Sequence, residues 1–596
     1  CMCGIVGRLN FNSQAVQPDE LEQMCKEIKH RGPDDQGIWL KGPVGLGSRR
    51  LSIIDLSPAG HQPISNETKT VWIVFNGEIY NFQALRSRLI KNGHKFSSKT
   101  DTEIVVHLWE EYGVNCVKYL RGMFALALWD EREKSLFLAR DRVGKKPLKY
   151  YLDKQKIIFA SELKAILTDK TIKRTPDLQA IDHFFSLEAV PAPLTGFQGI
   201  KKLPAASYLL IKNNQVIIKK YWQVEFLPKT KLAEPELKTS ILNQLTESVR
   251  LRLISDVPVG AFLSGGVDSS AVVALMSRLG QKQIKTFSVG FEDKKYSELP
   301  YARMVAKKFK TNHQEIILTP KHWSLLPKLA EAYEEPYGDP SALPTFLVSQ
   351  LAAKTVKVVL NGDGGDENFA GYQRYLKFVW LNPLGRLFPW LNSGPTIYPT
   401  AYLSLTAPQN FKKSLYQPQF WNNINPLATK TLFQKQQLKN LQPLDNVLKT
   451  DINLYLSQVL LPKVDIASMA NSLEVRSPFL DQELMQFCAK IPGKYKLKHG
   501  EGKYILKKAL EGILPREIIY RPKMGFGFPL GIWLRNQWQK PVKNLLLDPK
   551  AKYRKFLRPA TVEPMINQPL SGEHLDRRLW RVIMLEYWLQ HYFPKL

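Results

Sequence analysis

Three groups of residues in this chain have types and spacings suited to chemistry. Ser264-Gly265-Gly266-Val267-Asp268-Ser269-Ser270 follows an apolar run and opens a helical pattern. A glycine-rich turn there aims backbone N–H groups and the helix dipole at an anion, so phosphate binding is the physical expectation. A tight turn with an N-cap serine is the plainer alternative, although glycines, serines and an aspartate together exceed what capping needs. No Gly-Lys-Ser/Thr follows, which excludes a Walker A loop. Asn361-Gly362-Asp363-Gly364-Gly365-Asp366-Glu367 also follows an apolar run. Its three acids repel one another, and Mg²⁺ held between carboxylates and a triphosphate would relieve that; an acidic surface turn is the alternative. The acid spacing does not fit a calcium loop. The third group comprises Cys3-Gly4-Ile5-Val6-Gly7, Arg31-Gly32-Pro33-Asp34, Arg50-Leu51-Ser52-Ile53-Ile54-Asp55, Phe75-Asn76-Gly77-Glu78-Ile79-Tyr80-Asn81 and Thr100-Asp101-Thr102-Glu103. Each of these is weak alone.

The elements that must position these groups have two textures. The first two hundred residues are rich in short extended runs: Thr70 to Phe75, Phe124 to Trp129, Ser135 to Ala139 and Lys156 to Ala160. Polar turns at Asp130 to Lys134 and Asp153 to Gln155 suit antiparallel hairpins. Asp101 to Tyr112 reads as a helix, with Thr100 and Glu103 as a capping box and Gly113 as its stop. Past residue 222, Phe226 to Pro235 reads as a linker, and strands then alternate with helices. Val257 to Leu263, Lys285 to Gly290, His313 to Leu318 and Lys357 to Leu360 are the strands; Ser269 to Leu279 and Tyr301 to Phe309 are helices. That alternation calls for a parallel sheet with crossover helices. Residues 375–447 show no clear period and read only as helical and lid-like.

In their order, and followed by Arg140-Asp141-Arg142-Val143-Gly144-Lys145-Lys146-Pro147-Leu148, the N-terminal motifs closely resemble the class II glutamine amidotransferase domain. The Ser264 loop looks like the pyrophosphate loop of the ATP pyrophosphatases, and the following three hundred residues resemble an asparagine synthase-type domain. The resemblance covers nearly the whole chain, weakening over residues 375–447 and after Pro529. It implies an α+β N-terminal nucleophile domain, two antiparallel sheets between helices, over residues 1–222. An α/β domain with a parallel sheet of the ATP pyrophosphatase type follows over 223–596. The implied reaction hydrolyses glutamine and passes ammonia to a carboxylate activated by ATP, as β-aspartyl-AMP if the acceptor is aspartate. Another carboxylate, on a cell-wall or exopolysaccharide precursor, is the alternative acceptor.

In that family the cysteine thiolate attacks the glutamine amide and the cysteine's own α-amino group is the base. Cys3 is the matching residue. Cys1 and Met2 precede it, so glutaminase activity requires trimming of both, or translation that begins at Met2 followed by removal of that Met. The resemblance puts Leu51, Ser52, Ile53, Ile54, Asn76, Gly77 and Glu78 around glutamine, with Asn76 and Gly77 as the oxyanion hole. Glutamine also needs a group for its α-carboxylate and an acid for its α-ammonium, which Arg50 and Asp101 supply. For ATP it implies Leu263, Ser264, Gly265, Gly266, Asp268, Ser269, Val289, Gly290, Asn361 and Gly362, with Asp268 and Asp366 as Mg²⁺ ligands. Asp363 takes the position that supports the acyl intermediate, where asparagine synthetases often have Glu. Lys503 matches the lysine that neutralises charge during activation. Asp465 and the segment from Glu474 to Leu480 also match, whereas Ile466 stands where the family commonly has Arg, a change that bears on the acceptor pocket. Glu335-Pro336 and Asp339-Pro340-Ser341 fit a substrate-side loop. An enclosed apolar tunnel should carry ammonia between the sites, because contact with water would protonate it.

Composition narrows the rest. The chain has 596 residues, 44% of them hydrophobic, enough for several domains with large cores. Lys plus Arg at 84 against 54 acids gives a net charge of +30. No block of five or six basic residues exists, so a solvated basic surface is favoured over a nucleic-acid groove or a membrane-surface binder. Five cysteines argue against a disulfide scaffold; Cys25, Cys116 and Cys488 read as buried small side chains. With no long apolar run or leader visible, cytoplasm is expected. The expected partners are glutamine, aspartate and ATP, with a homodimer left open and neither nucleic acid nor membrane expected.

Overall fold

The computed structural model describes residues 3–376, 378, 408–525, 527–567 and 573–596. Short, largely apolar strands buried on both faces build the first half. Along β1 (Cys3–Asn10), Ile5 and Leu9 point to one face and Val6 to the other, each buried in a different cluster. The remaining strands of this half are β2 (Asp35–Lys41), β3 (Val44–Arg50), β4 (Ile64–Ser65), β5 (Val71–Ile79), β6 (Gly122–Asp130) and β7 (Ser135–Arg140). They continue with β8 (Lys149–Leu152), β9 (Lys156–Ala160), β10 (Ile200–Lys202), β11 (Ser207–Lys212) and β12 (Gln215–Lys220). They form two six-stranded antiparallel sheets, ordered β10-β8-β9-β1-β3-β2 and β12-β11-β7-β6-β5-β4. Ile5, Leu9, Val44 and Leu46 of the first sheet meet Val74, Ala127, Leu136 and Leu138 of the second. Helix Pro18–Glu27 covers one outer face through Leu21, Met24 and Cys25; helix Glu103–Tyr112 covers the other through Ile104, Val105 and Leu108. Two antiparallel sheets between helices is the predicted architecture. The hairpins at Asp130 to Lys134 and Asp153 to Gln155 both form.

The second half is built on five parallel strands: β13 (Val259–Phe262), β14 (Lys285–Phe291), β15 (Asn312–Leu318), β16 (Val358–Leu360) and β17 (Glu474–Arg476). Their order is β15-β14-β13-β16-β17. The chain winds outward from β13 through β14 to β15, then returns to the other side of β13 for β16. The reversal leaves a crevice between the carboxyl ends of β13 and β16, where open α/β sheets bind ligands. Strand β17 was not anticipated as a strand, since three residues carry no periodic signal. Between the halves, helix Glu234–Arg252 starts inside the segment read as a linker. Of the segment read as lid-like, residues 377 and 379–407 lie outside the described residues. Residues 408–447 include the helices Gln409–Leu415, Pro418–Asn422 and Ala428–Gln434. No helix among the described residues is long and apolar enough to cross a membrane.

Candidate active sites

The antiparallel ladder itself assembles the first site. Cys3 begins β1, and its register partner is Arg50 at the end of β3, so a thiol and a guanidinium meet at one edge of the sheet. Both are buried. Arg50 Nη2 donates to the carbonyls of Ile54 and Asp55 at 3.1 and 2.6 Å, folding Leu51 to Ile54 back over the sheet edge. Ser52 N donates to Asp34 Oδ2 at 2.8 Å. From β5 of the facing sheet, Asn76 Oδ1 accepts from Cys3 N at 3.2 Å. A Cβ on Gly77 would meet Met123 O at 2.1 Å, so only glycine permits this close strand approach.

Asp101 is fixed differently from expectation. The helix starts at Glu103, and Glu103 is not part of a capping box with Thr100; its carboxylate accepts from the backbone N–H and hydroxyl groups of Ser97 and Ser98. Asp101 is held by Ile79 N, which donates to its Oδ2 at 2.8 Å from the end of β5. Glu78 also differs: its Oε1 pairs with Arg476 Nη2 of the second half at 3.0 Å. Burial pushes its carboxyl up to about 7. Gln62 was not foreseen, because nothing in a His-Gln-Pro loop marks it. Its Oε1 accepts from Phe75 N at 2.8 Å, and its Nε2 lies 4.0 Å from Cys3 Sγ.

Three polar atoms at this site are buried without a hydrogen-bond partner among the described residues: Asn76 Nδ2, Arg50 Nε and Asp101 Oδ1. Two are donors and one is an acceptor. Orphaned buried polar groups are costly, about 1–3 kcal/mol each, and call for an explanation. Burial also pushes the Cys3 thiol up to about 11, so it is neutral at pH 7 and needs a base.

The second site occupies the crevice. Helix Val267–Arg278 follows β13, and its N-terminus is preceded by Ser264, whose Oγ accepts from Gly266 N at 3.2 Å. A Cβ on Gly362 would lie 2.8 Å from Ser269 N, so the two glycine-rich loops touch. Together they line a cavity of ≈ 1140 Å³ that includes Leu263, Ser264, Gly266, Asp268, Ser269, Val289, Asn361, Gly362, Asp363, Asp366 and Lys503. Gly265 and Gly290 are not on this wall. Gly265, at φ +73, packs against the backbone of Tyr301 and Ala302; Gly290 packs against Leu299. Both allow close packing behind the wall.

Lys503 Nζ bridges Asp268 and Asp366, the latter at 2.7 Å. It sits at φ 57, a strained value for a residue with a side chain. Lys523, not singled out from sequence, also pairs with Asp366. Against the upward push of burial, the two lysines hold the Asp366 carboxyl well below the usual range. Burial raises Asp268, whose Oδ1 has no hydrogen-bond partner among the described residues. Two facing carboxylates, one with an orphaned oxygen, are the hard oxygen donors that Mg²⁺ takes. Also lining the cavity, Lys463 Nζ lies 3.2 Å from Asp339 Oδ2 and 2.8 Å from Ser341 Oγ.

The two sites are joined in two ways. The apolar cluster that contains Cys3, Leu51 and Ile53 extends to Val358 and Met469 of the second half. At about 3.3 Å per strand residue, Val358 lies about 10 Å from Asn361. Around this seam run buried polar links. Arg31 pairs with Glu162 at 2.9 Å and with Asp465 at 2.8 Å, and Lys146 reaches Asp465 at 3.2 Å. Lys145 Nζ donates to Ser477 Oγ, which donates to Asn361 Oδ1 at 2.6 Å; Asn361 Nδ2 in turn donates to Asp363.

A buried thiol at the head of a two-sheet nucleophile domain, docked on a parallel sheet whose switch point carries phosphate-loop and acidic motifs, defines a two-site amidotransferase architecture. Residues 2–222 match the glutamine amidotransferase domain model and residues 240–590 the asparagine synthase model. The chain therefore belongs to the asparagine synthase family. It is 33% identical to asparagine synthetase (glutamine-hydrolysing) 1 of Bacillus subtilis, over 98% of this chain and 96% of that one. Asparagine synthetase (glutamine-hydrolysing) 3 of the same organism is also 33% identical, over 88% and 86%. Amidase chyE of Penicillium rubens is 29% identical, over 91% of each.

Proposed function

We propose that this chain makes asparagine from aspartate, glutamine and ATP, with residues 1–222 releasing ammonia and residues 223–596 consuming it. The observation that carries the first half is the set of three orphaned atoms. Glutamine brings a carbonyl oxygen for Asn76 Nδ2, a carboxylate for Arg50 and an ammonium for Asp101, and so satisfies all three. Cys3 is the nucleophile. Its α-amine is the base that the neutral thiol requires, which means that Cys1 and Met2 are removed. As the tetrahedral intermediate forms, Asn76 Nδ2 and Gly77 N stabilise its oxyanion.

In the second half, the Ser264 loop and the N-terminus of helix Val267–Arg278 hold the phosphates of ATP. Asp268 and Asp366 would hold Mg²⁺, which offsets triphosphate charge when bound. Lys503 and Lys523 balance the same acids and face the charge that develops as aspartate attacks the α-phosphorus. The products of that step are β-aspartyl-AMP and pyrophosphate. Lys463, Ser341 and Asp339 offer a cation, a hydroxyl and a carboxylate for the acceptor amino acid. Ammonia crosses the apolar seam beside Leu51, Val358 and Met469 and attacks the acyl carbon, displacing AMP. The relatives' names and the pairing of the two family models support this reading, and a biosynthetic ligase of this kind would work in the cytoplasm.

A second reading, amidation of another carboxylate, is favoured by Asp363 in place of Glu, by Ile466, and by the likeness to an amidase. Incubation with ATP, glutamine and aspartate separates the two. Asparagine, AMP and pyrophosphate in equal amounts support the first reading. Glutamate and pyrophosphate without asparagine favour the second.

A further inference from the structure

Away from both sites, four side chains from three separate segments turn their donor atoms to one point. They are Glu67 in the turn between β4 and β5, His94 just after helix Phe82–Lys91, and His107 and Glu110 on helix Glu103–Tyr112. One ligand atom from each lies within 4.8 Å of every other. His107 Nδ1 is 3.5 Å from Glu67 Oε2 and 3.5 Å from Glu110 Oε2. His94 Nδ1 is 3.9 Å from Glu67 Oε1 and 3.8 Å from Glu110 Oε2. These separations are too long for hydrogen bonds. Four ligands at about 2.0–2.1 Å around a tetrahedral ion stand about 3.3–3.4 Å apart, so the 3.5 Å pairs already match and the wider ones, up to 4.8 Å, would close by about 1.4 Å around an ion.

Independent observations point to a ligand. His107 is fully buried, yet neither ring nitrogen has a hydrogen-bond partner among the described residues, and Glu110 Oε2 is likewise orphaned. Glu110 Oε1, by contrast, is already occupied by Asn66 Nδ2 at 2.8 Å, which turns Oε2 toward the histidines. Behind the rings stand further carboxylates. His94 Nε2 lies 3.1 Å from Glu111 Oε1, and His107 Nε2 lies 3.9 Å from Glu103 Oε1. For His94, the Glu111 carboxylate on the far nitrogen fixes the tautomer that leaves Nδ1 with its lone pair outward, as metal-ligating histidines require; His107 has carboxylates on both sides and would give up a proton on taking the ion. Two imidazoles and two carboxylates suit Zn²⁺ in charge and in donor type, whereas Mg²⁺ and Ca²⁺ prefer oxygen alone.

We propose that Glu67, His94, His107 and Glu110 form a Zn²⁺ site that ties helix Glu103–Tyr112 to the β4–β5 turn and to the segment after helix Phe82–Lys91. The ion is a structural clamp on the helix that follows Asp101. It takes no part in either half-reaction, so the proposal stands independently of the acceptor's identity.

The test uses the full chain stripped with a chelator and titrated with Co²⁺, read by visible absorption, and with Zn²⁺, read by calorimetry. One equivalent per chain with the intense bands of tetrahedral Co²⁺, displaced by Zn²⁺, is expected. His94→Ala and Glu67→Gln should each weaken Zn²⁺ binding at least tenfold and abolish the Zn²⁺-induced rise in Tm. Cys3→Ala and Asp268→Asn should leave that equivalent in place. Glu67 is exposed, so its variant tests the site even if His94→Ala fails to fold. Absence of a tetrahedral Co²⁺ spectrum, or Zn²⁺ affinity unchanged in Glu67→Gln, overturns the proposal.

Discussion

Replacing Asn76 with Ala should separate the two half-reactions. The side chain has two jobs at the first site: its Oδ1 accepts from Cys3 N at 3.2 Å, and its Nδ2 is an orphaned buried donor. Loss of one oxyanion donor costs about 10²–10³ in kcat, equivalent to about 2.7–4 kcal/mol. Loss of the hydrogen bond that orients the base adds to this. The deficit should fall on kcat, because the proposed donor acts on charge that exists only in the transition state, while the proposed contacts of Arg50 and Asp101 with the substrate's amino-acid end are left in place. The assay measures glutamate release at saturating glutamine, alongside asparagine formed from ammonium chloride at the second site. The expected result is a glutaminase kcat reduced at least 100-fold, KM changed by less than about fivefold, and ammonia-dependent synthesis retained. A glutaminase kcat reduced less than tenfold, or a parallel loss of ammonia-dependent synthesis, would refute the reasoning.

Three other substitutions probe the nucleotide site and the seam. Gly365→Ala puts a Cβ 2.5 Å from Asp268 Oδ1 and must displace that carboxylate; pyrophosphate release should fall at least tenfold with either nitrogen source, and unchanged release at saturating Mg²⁺ would count against the assigned role. Arg31→Met removes the cation between Glu162 and Asp465. Breaking a buried pair typically costs about 3–5 kcal/mol, a figure that Lys146 and Lys164 reduce here. Glutamate should then form in excess of asparagine, and a preserved one-to-one ratio would show that the seam does not depend on this link. Lys145 is depressed to about 7, first by burial and then by Lys146. Its charge is therefore disfavoured in the folded state, and its contribution to stability should improve as pH rises from about 7 toward the unfolded value of about 10.5. Between pH 7 and 10 the Tm of the wild type should rise relative to that of Lys145→Met; parallel curves would contradict the assignment.

The architecture and much of the site geometry could be read in the residues because short-range signals carry them. Short apolar runs such as Thr70 to Phe75 specify strands, and the glycines before Asp268 and Asp366 mark loops at strand ends. Other features depend on distant partners. Glu78 reads as a substrate ligand in its own motif, and nothing in that motif signals that its carboxylate also meets Arg476, nearly four hundred residues away. Lys523 reaches Asp366 across a loop with no local pattern. Asp101 is held by the end of β5, so the capping rule applied to Thr100 found a helix start but misjudged what holds the acid. Gly265 and Gly290 also allow close packing against Tyr301, Ala302 and Leu299, a contact that motif spacing does not reveal.

The central claim is internal delivery: nitrogen freed beside Cys3 reaches the acyl adenylate without mixing with solvent. Glutamine labelled with ¹⁵N at the amide, supplied with ATP and aspartate in a large excess of unlabelled ammonium, tests it directly. Delivery through the seam predicts asparagine whose amide is almost wholly ¹⁵N. An amide carrying the isotope ratio of the bulk solution would contradict it.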